Sequence, residues 1–188
     1  MLEERRSSGE NTGVMPTMPD LQPSLSGPTL LLRPLRADDL EALHASAADP
    51  LIWALHPEPT RWQREVFERF FASALASGGA LVVIDRASAE IVGSSRYYDW
   101  DAHARIVTIG YTFLVRRLWG GTANAELKRL MLDHAFGFAT EVRFEVGRDN
   151  LRSRRAMEKL GAELLGERPA PAGSLAAPLV LYRMQAPA

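Results

Sequence analysis

The chain has 188 residues, 46% of them hydrophobic, with a formal net charge of -1 and no cysteine. That length and apolar content suit one folded domain with a tail and argue against a wholly disordered chain. The balanced charge offers no general field for nucleic acid or an anionic membrane, and the lack of cysteine excludes disulfides, thiolate metal ligands and a cysteine nucleophile.

Residues 1–28 carry Ser, Gly, Pro and charge without periodicity, which predicts a disordered leader before an ordered domain over 29–188. The leader has no apolar signal core, and no run approaches the roughly 20 apolar residues of a membrane span. A soluble protein of the reducing cytoplasm is the expectation. "TLLLRPLR" (29–36) reads as a buried strand, and "ADDLEALHASAAD" (37–49) as a helix opened by Asp38 and Asp39. In "RWQREVFERFFASALASGG" (61–79), Trp62, Val66, Phe70 and Leu75 recur at near-helical spacing, and Gly78 and Gly79 supply a stop. Three strands follow across short polar turns, "ALVVIDR", "EIVGSSRYYDW" and "RIVTIGYTFLV", an antiparallel meander in which Val107, Ile109, Tyr111, Phe113 and Val115 share one face. A helix is predicted from about Thr122 to Ala139, then a strand at "VRFEVG", a short helix at "NLRSRRAMEKLG" and two closing strands at "AELLGER" and "LVLYRMQ". This order indicates a mixed α/β layer structure. The apolar "LVLYRM" serves equally as a sheet-completing strand or as the edge of a homodimer.

Two glycines, Gly120 and Gly121, stand between the third strand of the meander and the helix. Leu127, Leu130, Met131 and Phe138 form that helix's apolar stripe, with Glu126, Lys128, Arg129 and Asp133 mostly off it. Unpaired backbone N–H groups at a helix start, reached over glycine, fit a polyphosphate, and plain backbone punctuation is the competing reading. Neither G-x-x-x-x-G-K-[ST] nor a G-x-G-x-x-G at this turn is present, which disfavours an ordinary P-loop or dinucleotide site.

The segment "RLWGGTANAELKRLMLDHAF", with "IGYTFLV" before it and "VRFEVGRDNLRSRRAMEKLGAEL" after it, resembles the GNAT acetyltransferases, in particular the branch that acetylates ribosomal-protein N-termini. "LLLRPLRADDLEAL" resembles the opening of the same branch, so the likeness runs from about Thr29 to Gln185. It implies a central, mostly antiparallel twisted sheet of about seven strands with about four helices, acetyl-CoA as co-substrate, and direct transfer of acetyl to a primary amine, either a protein N-terminus or a small molecule. The family's pyrophosphate loop, [QR]-x-x-G-x-[GA], is matched by Arg117 and Gly120, with Thr122 in place of the last small residue. If that last position needs positive φ, a β-branched residue there is strained. The resemblance assigns the pyrophosphate to backbone N–H groups of Leu118, Trp119, Gly120, Gly121, Thr122 and Ala123. It assigns the pantetheine arm to the strand edge near Phe113 and Val115.

Asn150 and Ser153 match, in the same resemblance, a cofactor-binding asparagine and a serine near the thioester sulfur; the alternative is a helix cap and its neighbour. Glu145 stands where some family members carry a general base, and a surface ion pair with Arg143 or Arg148 is the other possibility. A tyrosine acid used by those members is Met157 here, leaving the thiolate proton to Ser153, Tyr98 or Tyr182. His44, His56, His103 and His134 show no metal-ligand spacing, so no metal is expected. Asp99, Trp100 and Asp101 form either a hairpin tip or an ammonium site. Arg148, Arg152, Arg154 and Arg155 offer phosphate contacts or a solvated face. "WALHPEPTRW" (53–62) lies where the family shapes its acceptor pocket. Two further functions compete with catalysis, a non-catalytic acyl-CoA-binding module and a site for another nucleotide.

Overall fold

The computed structural model describes residues 18–170 and 178–187, and in these one eight-stranded sheet carries helices on both faces. β1 (Leu25–Ser26) and β2 (Leu30–Pro34) lead through a 3-10 turn (Ala37–Asp39) to α1 (Leu40–Ala47), α2 (Pro50–Trp53) and α3 (Arg64–Ala76). β3 (Ala80–Asp85), β4 (Ile91–Asp101) and β5 (Ile106–Leu114) form the expected meander. A second 3-10 turn (Arg116–Leu118) precedes α4 (Ala123–Ala135), β6 (Glu141–Gly147), α5 (Leu151–Leu160), β7 (Glu163–Arg168) and β8 (Leu179–Gln185). The order across the sheet is β1-β2-β3-β4-β5-β6-β8-β7, antiparallel throughout except between β5 and β6. The mixed α/β, mostly antiparallel expectation therefore holds, with one more strand and one more helix. β1 has two residues and α2 four, too short for a periodic signal.

The expected leader divides in two. Residues 1–17 lie outside the described residues, whereas 18–28 belong to the fold, because Leu25 and Ser26 pair with Leu32 and Leu31 and the Asp20 carbonyl lies 2.7 Å from His134 Nε2. Leu21 and Leu25 pack on the core. Two isolated leucines among polar residues leave no periodicity to read.

Each face of the sheet has its own core. On one side Leu127, Met131 and Ala135 of α4 pack against Leu30, Leu32 and Ile109, and Tyr97 Oη donates to the Met131 carbonyl at 2.6 Å. On the other, Phe67, Phe70 and Phe71 of α3 meet Leu43, Trp53 and Phe113. Burial of each such side chain contributes roughly 1.5–3 kcal/mol over exposure.

Two irregularities shape the site. Between Arg96↔Gly110 and Ser94↔Phe113, β5 has two residues, Tyr111 and Thr112, opposite the single Ser95. Tyr111 takes φ 53°, the left-handed conformation of a bulge. The extra residue inverts the pleat, so Ile109 packs in the α4 core while Phe113 packs in the α3 core. The sequence expectation of one face for residues 107 to 115 fails at this point, since it assumed an unbroken alternation. Secondly, β5 and β6 pair only over Ile106–Thr108 and Glu141–Arg143 and then diverge.

Candidate active site

The divergence of β5 from β6 opens a cavity of about 260 Å³. Ile109, Gly110, Tyr111 and Thr112 form one wall, Phe144 to Gly147 the other. Asn150 at the cap of α5, Ser153 and Met157 within it, Asn124 and Lys128 of α4, and His56 and Pro57 complete the lining. Wherever the two strands part, backbone groups that would have paired across the ladder are left for a ligand.

Glu145 and Tyr98 meet inside this cleft. Tyr98 Oη donates to Glu145 Oε2 at 3.4 Å, and Arg168 Nη1 lies 2.8 Å from the other carboxylate oxygen. The ion-pair partner of Glu145 is thus Arg168, not Arg143 or Arg148; Arg143 bonds Glu141 and Arg148 lies beside Asp149. The Tyr98 ring crosses the cleft only because position 110 is glycine, since a Cβ there would stand 2.9 Å from Tyr98 Cε1 and 3.0 Å from its oxygen. Burial, with the neighbouring Glu145 charge, pushes the Tyr98 hydroxyl well above the ordinary tyrosine range, so it stays protonated. Tyr182 is buried against the core with its oxygen 3.4 Å from Arg154 Nε, and does not line the cleft.

Asn150 and Ser153 both line the cavity, and Asn150 is also the cap of α5, its Oδ1 accepting from Ser153 N at 3.1 Å. The cap uses the amide oxygen and leaves the amide nitrogen. At the glycine turn, Gly120 takes φ 76°, a conformation costly for other residues, while Thr122 sits at φ -88° as the N-cap of α4. The strain foreseen for a β-branched residue at 122 is absent because the left-handed residue comes two positions earlier. The Thr122 side chain makes no cap hydrogen bond, so the first N–H groups of α4, beginning with buried Ala123, keep their donors.

Three expected cofactor contacts are reassigned. The Arg117 guanidinium is held by Asp85 at 3.0 Å and Glu90 at 2.9 Å, away from the turn, which leaves only its backbone there. The Trp119 indole donates to the Leu114 carbonyl at 2.9 Å and lies under the Arg152 guanidinium at 3.8 Å. The N–H groups of Leu118 and Trp119 close the 3-10 turn on the Val115 and Arg116 carbonyls at 3.1 and 3.0 Å, so these two donors are spent and not offered to a pyrophosphate. Val115 N donates to Val92 O and the Phe113 carbonyl faces Gly93, so both turn toward β4. Of their neighbours Thr112 lines the cleft, whereas the Leu114 carbonyl is taken by the Trp119 indole.

Other polar residues settle into structural roles. Trp100 packs edge-on to Phe138 at 5.2 Å and Asp101 caps the hairpin through His103 N and Ala104 N, so this tip lies off the cleft. Glu126, read as off the apolar stripe of α4, accepts from the backbone of Thr29 and Leu30 at 2.9 Å and ties α4 to β2.

Sequence reasoning gave no site role to Lys128 and Arg96, and it reached His56 and Arg61 only as members of the 53–62 stretch, without showing which of its residues point inward. Lys128 is 4% exposed and donates to Thr112 Oγ1 at 2.8 Å; burial brings its pKa down to about 7. His56 accepts from Glu58 N at 3.0 Å, and burial with the Arg61 charge lowers its pKa to about 3, which keeps it neutral. The charge of Lys128 on α4 and Arg96 on β4 suggested solvent, and only the inward parity of their positions could have flagged them. Among the described residues, no cluster of His, Asp and Glu is arranged to hold a metal, and no helix is long and apolar enough to cross a membrane.

The profile of the acetyltransferase (GNAT) domain matches residues 29–163. This chain belongs to the GNAT acetyltransferases. Its fold is shared by a GCN5-related N-acetyltransferase from Brucella melitensis at 21% identity, with TM-score 0.78 over 87% of this chain and 79% of that one. Mycobacterium smegmatis RimJ in complex with CoA-disulfide is similar at 18% identity, TM-score 0.69, covering 88% of this chain and 87% of its own. The Microcin C7 self immunity acetyltransferase MccE, in complex with acetyl-CoA and AMP, is similar at 13% identity, TM-score 0.71, covering 89% and 98% respectively. No curated protein matches this GNAT chain.

Proposed function

We propose that this GNAT domain transfers acetyl from acetyl-CoA directly to a primary amine, a protein N-terminus or a small molecule. The observation that carries the reading is the cleft itself, where divergent β5 and β6 bring Glu145, Tyr98 and Ser153 together beside a helix start with free N–H groups. The residues present fit the donor: the backbone from Gly120 to Ala123 suits a pyrophosphate at the positive end of the α4 dipole, and the strand edge at Thr112 with the Asn150 amide suits the pantetheine arm. RimJ with CoA-disulfide and MccE with acetyl-CoA support the same donor for this fold. When bound, acetyl-CoA supplies the activated acetyl group.

The chain's own residues then supply proton handling and position. Glu145 accepts the proton of the acceptor amine, directly or through one water. Arg168 holds one carboxylate oxygen, and Tyr98 orients the other. Ser153 Oγ and Tyr98 Oη are the hydroxyls on the cleft walls able to deliver a proton to the leaving sulfur, a role Met157 cannot take. Thermal unfolding with acetyl-CoA, CoA, NAD and ATP side by side tests the donor, because a ligand at about 100 times its Kd stabilises its site by roughly 2.7 kcal/mol. Selective stabilisation by the two CoA species, with thiol release once an amine is added, is expected. CoA binding without release from any amine would leave a CoA-binding module, and preference for NAD or ATP would overturn the reading.

A further inference from the structure

Behind His56 and Tyr111 of the cleft stand two guanidinium groups that make no ion pair among the described residues. Arg96, 4% exposed on β4, has its Cζ 4.1 Å from the Tyr111 ring centre and 5.7 Å from that of Phe70. Arg61, just before α3, lies 4.6 Å from Phe70 and 5.1 Å from Trp53. Stacking of this kind satisfies the faces of a guanidinium and leaves its edge, where the N–H donors point, unsatisfied. At those edges Arg96 Nη1 reaches Ser73 Oγ at 3.4 Å and Arg61 Nη1 lies 3.2 Å from His56 Nε2. Nε of both arginines and Nη2 of Arg96 are sealed from solvent and have no acceptor among the described residues.

The nearby acids are engaged elsewhere. The Glu58 charge favours the Arg61 cation, but its carboxylate bonds the Thr60 N–H and hydroxyl and makes no ion pair with Arg61, and Glu145 is held by Arg168 and Tyr98. Burial and the Arg96 charge bring Arg61 down to about 10, which still leaves it charged at neutral pH. His56 presents a ring with one proton to two donors, Glu58 N and Arg61 Nη1, so it cannot accept from both. Two like charges, surplus donors and a neutral imidazole converge behind a wall of the cleft made by His56 and Tyr111. An oxyanion is the ligand that satisfies all of them.

We propose that Arg61 and Arg96 recognise an oxyanion on the acceptor, so that the preferred substrate is an amine bearing a carboxylate or phosphate group. The inference rests on the acetyl-transfer reading of the same cleft. Glu145 and Tyr98 receive the amine, and the arginines receive the anion on the other side of the Tyr98–Tyr111 aromatic pair, whose ring centres lie 5.2 Å apart. Entry of the anion requires the Tyr111 ring, 44% exposed on its bulge and 4.1 Å from Arg96 Cζ, to turn aside.

Initial rates of thiol release from acetyl-CoA with matched amines test this. The pairs are an amino acid and its amide, an aminoalkyl phosphate and the corresponding alcohol, and a peptide with Asp or Asn as second residue. These arms separate a backbone carboxylate, a phosphate and a side-chain carboxylate. The anionic member of at least one pair is expected to exceed its neutral partner about tenfold or more in kcat/KM, and Arg61→Gln to reduce that ratio about tenfold, with Arg61→Lys retaining part of it. Neutral members equal to or better than anionic ones in every pair would overturn the proposal and leave acetyl transfer standing. If no amine is acetylated, the site is still read by thermal unfolding with phosphate or succinate against chloride at matched ionic strength. A shift in the wild type that Arg61→Gln abolishes supports the anion site, and no anion-specific shift overturns it.

Discussion

Replacing Lys128 by methionine should stabilise the protein near neutral pH, by an amount that shrinks as pH rises. Among the described residues Lys128 has no acid partner; its Nζ donates to Thr112 Oγ1 and stands 5.3 Å from the Phe144 ring centre, and burial lowers its pKa from 10.5 to about 7. Below pH 7 the ammonium is present in both folded and unfolded chains, and the fold bears the whole cost of burying it. Between pH 7 and 10.5 the unfolded chain keeps a proton that the folded chain has lost, so stability rises with pH across that window. At 1.36 kcal/mol per pKa unit, the gap corresponds to about 5 kcal/mol in all and roughly 2 kcal/mol between pH 7 and 9. Methionine has similar length and no charge. Urea unfolding of both proteins at pH 7, 8 and 9 measures the effect, and their difference cancels every other titrating group. Tyr97 and Tyr98, raised by burial, act only above the ordinary tyrosine range, outside this interval. A wild-type to variant difference that stays constant from pH 7 to 9 would refute the reasoning, because it would mean that Lys128 keeps its proton in the fold.

Glu145→Gln should lower kcat about a hundredfold with acetyl-CoA affinity retained, and Ser153→Ala and Tyr98→Phe should each lower it less; unchanged kcat in all three removes the assignment. Gly120→Ala places a side chain at φ 76°, so unfolding experiments should show a loss of roughly 1–2 kcal/mol and calorimetry a weaker affinity for acetyl-CoA. His56, lowered to about 3 in the fold, contributes stability present above about pH 6.5 and lost as the unfolded chain takes up a proton below it. Acid titration from pH 7 to 5 should cost roughly 1–2 kcal/mol, and His56→Asn should remove that part of the slope.

The elements were readable wherever a period survived several turns or strands. The meander from Ala80 to Leu114, the α4 start after Gly120 and Gly121 and the α5 cap at Asn150 all announce themselves through local chemistry. What escaped depended on parity or on distant partners. The Tyr111 bulge needs one extra residue that no local pattern marks, and it alone turned Phe113 and Val115 toward β4 and away from the cleft. Glu145 could be singled out by position but its partner Arg168 could not, since the two meet through β6, β7 and β8 rather than along the chain. Arg96 and Lys128 were masked by their own charge, which composition assigns to water.

The three-residue ladder between β5 and β6 makes the sheet a pair of levers with a common fulcrum. From Arg143 to Gly147, β6 runs four residues beyond its last pair with β5, an arm of about 13 Å at roughly 3.3 Å per residue. A degree or two of twist at Thr108 is therefore magnified at Glu145 and Gly147, where reaction distances are set. Substitutions at the buried fulcrum, which touch no reactant, would retune the gap between base and donor as effectively as changes in the cleft itself.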